Sequence, residues 1–190
     1  QIPENPDFHW QQNKKLEGAV DFALFDDRYN FEVAYYRNRC NNQLVAFPIP
    51  GFAGFNSVVL NSPANVQNSG WEFLMNANIL KGKKWQWSAN FNLGANRNTL
   101  LSYPLFEESP YYSTLKIGHS LDDRYIYHLE GVDPVTGLYI FTDINKDGIV
   151  KSNGSVPRGT ADDDMYYRIN TTPKFSGGMG HNISYGNFQL

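Results

Sequence analysis

An all-β fold, an antiparallel up-and-down sheet, is what this sequence predicts, and three observations predict it. From Trp85 to Asn96 the odd positions are Trp, Trp, Ala, Phe, Leu and Ala, while the even ones are Gln, Ser, Asn, Asn, Gly and Asn. A β-strand turns successive side chains to opposite faces, so this stretch has one apolar face and one polar, uncharged face. The same period recurs in several other stretches, and the connections between them alternate between very short and very long.

Taken in order, residues 1–13, with Pro3 and Pro6, read as an irregular lead-in. Leu16, Gly18, Val20, Phe22 and Leu24 then alternate with Glu17, Ala19, Asp21 and Ala23, which predicts a first strand over Lys14 to Phe25. Asp26, Asp27 and Arg28 make a short turn, and Tyr29, Phe31, Val33 and Tyr35 alternate with Asn30, Glu32, Ala34 and Tyr36. So tight a connection implies an antiparallel hairpin. Residues 41–64 lose the period and collect Pro48, Pro50, Gly51, Gly54 and Pro63, a long loop with room for a short strand at Leu44 to Phe47.

From Gly70 the alternation resumes with Trp71, Phe73, Met75, Ala77 and Ile79 against Glu72, Leu74, Asn76 and Asn78. A turn at Lys81 to Lys84 leads into the Trp85 strand. After Leu100 strict alternation stops until Pro173, with local strands predicted at Arg124 to Leu129 and Leu138 to Thr142. It returns with Phe175, Gly177, Met179, His181, Ile183 and Tyr185, and a further strand begins at Phe188. A sequence that does not open on methionine and stops inside a strand is expected to be a piece of a longer chain.

Composition narrows the function. A net charge of -3, with no dense basic run, excludes an electrostatic footprint for nucleic acid. The lone Cys40 excludes an intramolecular disulfide and a paired-cysteine metal site. Aromatic residues at 15% and 21 asparagines suit strands with wet, uncharged faces joined by many turns. No apolar run is long enough for a transmembrane helix, but a transmembrane strand needs only about 9 to 11 alternating residues.

Two architectures fit the pattern. A soluble antiparallel sandwich alternates apolar and polar faces too, and it would serve as a carbohydrate-binding module, with calcium as a candidate ligand. A membrane barrel adds an asymmetry, with short turns at one end and long loops at the other. Here the connections run short (26–28), long (41–64), short (81–84), long (101–173) and short (185–187). Tyr29, Trp85 and Trp87 fall near the short-turn end, and Tyr35 and Trp71 near the long-loop end, as interfacial aromatics would. Strand patterns of this length exceed the roughly 5 to 6 residues usual in globular sheets.

The opening NPDFHWQQNKKLEGAVDFALFDDRYNFEVAYYRNR is similar to a segment of the SusC/RagA-like TonB-linked outer-membrane proteins of Bacteroidetes. GFNSVVLNSPANVQNSGWEF, WQWSANFNLGANRN, GVDPVTGLYIFTDINKDG and TTPKFSGGMGHNISYGNFQL resemble further segments in the same order. The resemblance implies a segment of a large transmembrane β-barrel with long extracellular loops, taken from the C-terminal half. Residues 1–190 would form a partial barrel domain with excursions 41–64 and 101–173, lacking the plug. It also implies import of glycans or, in the RagA branch, peptides, through the outer membrane. The implied partners are a SusD-like lipoprotein lid, TonB reached through the N-terminal part, and outer-membrane lipid.

Individual motifs carry less chemistry. Asp143, Asn145, Asp147 and Gly148 reproduce the first half of a calcium loop, with oxygen ligands at positions 1, 3 and 5 and glycine at 6. Gly154 stands where the position-12 acid belongs, leaving Asp162, Asp163 or Asp164 to supply a carboxylate; the plainer reading is an Asp/Asn/Gly turn. No cofactor is required by this reading. Tyr111, Tyr112, Tyr166 and Tyr167 are candidates for stacking on substrate, against the plainer role of packing loops together. Glu17, Asp21, Glu32, Glu72, Asn76, Asn78, Asn90 and Asn92 are expected to line a wet lumen. His9, His119, His128 and His181 have no ligand spacing, and no nucleophile elbow or phosphate loop exists, so no enzyme is expected. A paired-carboxylate glycosidase draws its acids from distant strands and is not tested by spacing.

Overall fold

The computed structural model describes residues 8–48, 54, 57–152 and 164–190. Pro3, Pro6, Pro50, Gly51, Gly154, Asp162 and Asp163 lie outside the described residues. The chain forms two compact units. One comprises Asn13–Cys40, Gln67–Arg97 and Pro173–Leu190, and the other comprises Gln1–Gln12, Asn41–Val66 and Asn98–Thr172.

The first unit is built on six strands in the order β1-β2-β5-β6-β11-β12. Their bounds are Gln12–Leu24 (β1), Tyr29–Asn41 (β2), Asn65–Lys81 (β5), Trp85–Ser102 (β6), Ser176–Tyr185 (β11) and Phe188–Gln189 (β12). Every predicted long strand is present. The sequential hairpins β1-β2, β5-β6 and β11-β12 close through the short turns, and the long connections join strands at the opposite end. In the first turn Phe25, Asp26 and Asp27 all take positive φ, 56°, 55° and 58°. Aspartate tolerates that region, and the turn is tied down from β5, where Asn78 N–H donates to Arg28 O and Arg28 Nε donates to Asn78 O.

Three strands outrun their sequence pattern. β2 continues to Asn41 rather than stopping near Tyr36, β5 starts at Asn65 rather than Gly70, and β6 passes Asn96 to end at Ser102. The physical reason is that ladder pairing does not depend on side-chain polarity. The outward positions of these extensions are Arg37, Arg39, Asn41, Asn65, Gln67, Ser69, Arg97 and Thr99, with Leu101 alone apolar, so the apolar half of the alternation fades while the backbone stays extended.

The register of β11 on β6 pairs Tyr185 with Trp85, Ile183 with Trp87, His181 with Ala89, Met179 with Phe91 and Gly177 with Leu93. The intervening pairs are Ser184 with Gln86, Asn182 with Ser88, Gly180 with Asn90 and Gly178 with Asn92. Apolar meets apolar and polar meets polar along the ladder, with His181 opposite Ala89 as the exception.

The second unit carries three two-stranded sheets. Leu44–Pro48 (β3) pairs with Ser57–Asn61 (β4), Asp123–Ile126 (β7) pairs with Tyr167–Asn170 (β10), and Leu129–Val132 (β8) pairs with Tyr139–Phe141 (β9). The strand expected over Arg124 to Leu129 is interrupted at Tyr127 and His128: Arg124 to Ile126 belong to β7, and Leu129 opens β8, which pairs with a different partner. β4 and β10 fall in stretches where no strand is expected from the sequence. No described helix is long and apolar enough to cross a membrane.

Candidate functional site

The six-stranded sheet presents two chemically distinct faces, and side-chain contacts fix which residue lies on which. On the apolar face, Phe22 stacks on Phe31 at 5.0 Å, Phe31 lies 6.2 Å from Phe73, and Phe73 lies 5.9 Å from Phe91. These centroid distances trace one aromatic row across β1, β2, β5 and β6, which Met179 extends onto β11 by register. Toward the short turns a second row holds Phe25 against Tyr29 at 5.9 Å and Trp85 against Tyr185 at 4.5 Å. Toward the long connections Tyr35 meets Trp71 at 5.0 Å. Large side chains on this face stay exposed, including Val20 at 63%, Trp71 at 59% and Met179 at 70%. Such a continuous exposed apolar surface is far beyond what isolated surface hydrophobics produce. His181 interrupts it, but Trp87 Nε1 donates to His181 Nδ1 at 3.3 Å, so the two polar ring atoms satisfy each other.

The polar face gathers the residues expected to line a lumen. Asp21, Asn30, Glu32 and Asn76 share one depression with Leu74. Asn76, Asn78, Ser88, Asn90 and Asn182 line the next. Glu72 and Asn92 line a third beside Gly94, Ser176 and Gly178. Glu17 is exposed and shares the Asp21 side of β1 by alternation. All eight predicted residues therefore lie on one face.

Sequence reasoning missed how glycines shape that face. Tyr36 lies across Gly70 and donates from its hydroxyl to Asn96 Oδ1 at 3.0 Å. A Cβ on Gly70 would sit 2.5 Å from Ala95 O and 2.7 Å from the Tyr36 hydroxyl, so only glycine fits. Asn90 packs in the same way over Gly180. The signal in sequence is the Gly177, Gly178 and Gly180 run, read there only as a strand face.

The four tyrosines separate into two places in the second unit. Tyr111 lies 6.1 Å from Phe47 and 6.4 Å from Tyr103, and Tyr112 lies 5.5 Å from Phe106, all within one aromatic cluster. Tyr103 is buried there, and that burial, with Tyr111 nearby, raises the Tyr103 hydroxyl above its ordinary pKa. Tyr167 instead packs on His128 at 5.1 Å and is 45% exposed, next to the half-buried Tyr166.

Asp123 organises the β7-β10 sheet. It is 4% exposed, and its carboxylate accepts from Arg168 Nη1 at 2.6 Å and Asn170 Nδ2 at 2.9 Å, with His119 Nδ1 at 3.4 Å. Burial alone would raise its pKa, but the Arg168 pair and the hydrogen bond from Asn170, with His119 close by, outweigh it and leave it lowered.

The Asp143 loop is drawn together as its spacing predicts. Asp143 accepts from Lys146 N and Gly148 N at 2.6 and 2.7 Å, Asn145 Oδ1 from Asp147 N at 3.0 Å, and Asp147 from Ile149 N at 2.8 Å and Lys151 Nζ at 3.1 Å. Lys146 and Gly148 have positive φ of 59° and 84°. Buried Asp164, at 1% exposure, accepts from Ile144 N at 2.8 Å and Lys151 N at 2.9 Å and so clamps both ends of the loop. Among the described residues no group of three or more His, Cys, Asp or Glu side chains is placed to hold a metal ion.

A two-faced sheet with short turns at one end and an outward aromatic-banded apolar surface defines a stretch of transmembrane β-barrel wall. The family model described as TonB dependent receptor-like, beta-barrel matches residues 1–190, and the chain belongs to that family. TonB-dependent receptor P3 of Formosa agariphila is 24% identical over 212 residues, covering 98% of this chain and 20% of the relative. TonB-dependent receptor P39 of the same organism is 30% identical over 131 residues, covering 67% and 12%. TonB-dependent receptor SusC of Bacteroides thetaiotaomicron is 21% identical over 166 residues, covering 78% and 16%. A structure of the RagAB peptide transporter matches 100% of this chain and 21% of its own with a TM-score of 0.75 at 22% identity. The RagAB peptide importer in the closed-closed state matches 97% and 21% with a TM-score of 0.70 at 24% identity. The chain thus has the fold of a SusC/RagA-type barrel segment and spans about a fifth of the length of the first of these relatives.

Proposed function

We propose that this chain forms part of the barrel wall of a TonB-dependent transporter that resides in the bacterial outer membrane and imports glycans or peptides. The observation that carries the reading is the exposed apolar face running from Phe22 to Met179, backed by a face of amides and carboxylates. Lipid suits the first face and a water-filled lumen suits the second. In this reading Glu17, Asp21, Glu32, Glu72, Asn76, Asn78, Asn90 and Asn92 line the lumen. A SusD-like lipoprotein serves as the lid on the long-loop side, and TonB acts through the part of the protein that precedes the barrel.

Peptide is supported as a substrate class by the likeness to RagAB, a peptide importer, and glycan by the resemblance to the SusC branch. Of the four tyrosines, Tyr111 and Tyr112 have their rings engaged in a cluster, which supports packing. The exposed Tyr167, with Tyr166 beside it, is the better candidate for stacking on substrate. For Asp143, Asn145 and Asp147 a structural turn is the first role, and calcium is a second ligand to be tested by titration.

The test uses the full-length protein. Expressed in its native envelope, it is expected in the outer-membrane fraction, to co-purify with a lipoprotein, and to take up labelled oligosaccharide or oligopeptide only when TonB is present. Recovery as a soluble monomer, or uptake indifferent to TonB, would overturn the reading.

A further inference from the structure

The outward side of the sheet changes character just beyond the Tyr35–Trp71 pair. Three contacts keep the sides distinct there. Tyr36 bonds Asn96 on the polar side, whereas Tyr35 with Trp71, and Arg39 with Gln67, lie on the other. Arg37, between Tyr35 and Arg39 in period, and Arg97, next to inward Asn96, are therefore outward as well. On β1 the outward positions are the even ones, fixed by Phe22 on Phe31, which makes Lys14 outward. Lys14, Arg39 and Arg97 are exposed and Arg37 is partly exposed.

Four cations thus occupy the outward ends of β1, β2 and β6. The outward positions of β5 between them are Gln67 and Ser69, which are neutral. Among the described residues none of the four cations joins an ion pair. Arg39 spends one N–H on the Gln67 amide at 2.8 Å, which orients its guanidinium and leaves further donors open. Carboxylates near this level, such as Glu72, lie on the opposite side of the sheet.

Resting on the membrane reading above, we propose that Arg37, Arg39 and Arg97, with Lys14, form a binding site for the phosphorylated headgroup of a glycolipid in the outer leaflet. Charge complementarity selects the ligand. A guanidinium fork matches phosphate geometry, and on β2 Arg37 and Arg39 stand two and four residues, roughly 7 and 13 Å, past an aromatic pair of the kind that marks the interface. The acyl chains then lie on the apolar face below, against Trp71, Phe73 and Leu93, in direct continuity with the headgroup site. The short-turn end offers a contrast, since Lys81, Lys83 and Lys84 are accompanied there by Asp26 and Asp27.

The experiment places full-length protein in phosphatidylcholine nanodiscs doped with bisphosphorylated lipid A or its dephosphorylated form, and reads bound lipid by native mass spectrometry. Wild type is expected to retain the phosphorylated form selectively. Arg37→Gln, Arg39→Gln and Arg97→Gln should each weaken retention roughly fivefold, and together by roughly a hundredfold. The matched Arg→Lys triple should keep most of it, and Lys81→Gln with Lys83→Gln should leave it unchanged. Equal retention of the two lipid forms, or of wild type and the glutamine triple, overturns the proposal, as does displacement by millimolar inorganic phosphate. Should the triple fail to assemble, judged by heat-modifiable migration, Arg97→Gln alone at its exposed position carries the comparison. If wild type does not enter the outer membrane at all, the transporter reading itself has failed, an outcome distinct from membrane insertion without phosphate selectivity.

Discussion

Tyr36 crosses over Gly70 to bond Asn96, so a single side chain on β2 ties together three adjacent strands. The absent side chain at Gly70 is what opens the path, and it is the most demanding backbone position on the polar face.

Gly70→Ala is accordingly expected to destabilise the assembled barrel by about 1–3 kcal/mol, because its Cβ meets backbone at Ala95 O and cannot be relieved by a rotamer change. Tyr36→Phe keeps the ring and removes one hydrogen bond, so its cost should be about 1 kcal/mol. Urea unfolding of the full-length protein in detergent checks both, and a Tyr36→Phe cost exceeding that of Gly70→Ala would contradict the geometry.

The assignment of faces makes a sharper demand. Phe91→Arg puts a charge on the outward face in the middle aromatic row and should cost about 2–4 kcal/mol, whereas Asn92→Arg, its neighbour on the polar face, should cost much less. The fraction reaching the heat-modifiable folded form is the readout. Equal tolerance at both positions would mean that the faces meet the same solvent.

Acid should loosen the β7-β10 sheet selectively. The folded pKa of Asp123 is below its ordinary 3.8, so its contribution is complete above that value and is lost as pH falls through the lower folded value. Arg168→Ala should cost about 1–3 kcal/mol locally at neutral pH by leaving a buried carboxylate short of a charged donor. Hydrogen exchange at Arg124–Ile126 and Arg168–Asn170 measures both effects.

Asp164→Ala removes the acceptor for two backbone N–H groups and should cost about 2–3 kcal/mol in the Asp143 loop, seen as faster proteolysis between Ile144 and Lys151. A calcium titration of the wild type to millimolar levels reads the same cleavage. Protection by calcium that Asp143→Ala abolishes would assign a metal to the loop; unchanged cleavage would leave the turn role alone.

Much of the wall was legible because lipid and water impose opposite demands on alternate residues. That Trp85 and Trp87 share one face of their strand, and Ile183 and Tyr185 one face of theirs, follows directly from a period of two, whereas their pairing is a matter of register. The strand ends were not legible, since Arg37, Gln67 and Arg97 erase the contrast between faces without ending the ladder. Nor were the tyrosine roles, because Tyr111 meets Phe47 only through tertiary packing, which no local pattern records. The Asp143 turn was readable from spacing, but its clamp, Asp164, lies well downstream and announces itself only by burial.

The pairing of β6 with β11 is written into the strands themselves, from Trp85–Tyr185 to Gly94–Ser176, although residues 103–175 intervene. Each doubling of a flexible connection adds only about 0.6 kcal/mol of closure entropy. The intervening segment can therefore be lengthened, exchanged or grafted between relatives at little cost to the ladder. A barrel of this kind can exchange the connections at one end while the ladders of its wall stay as they are.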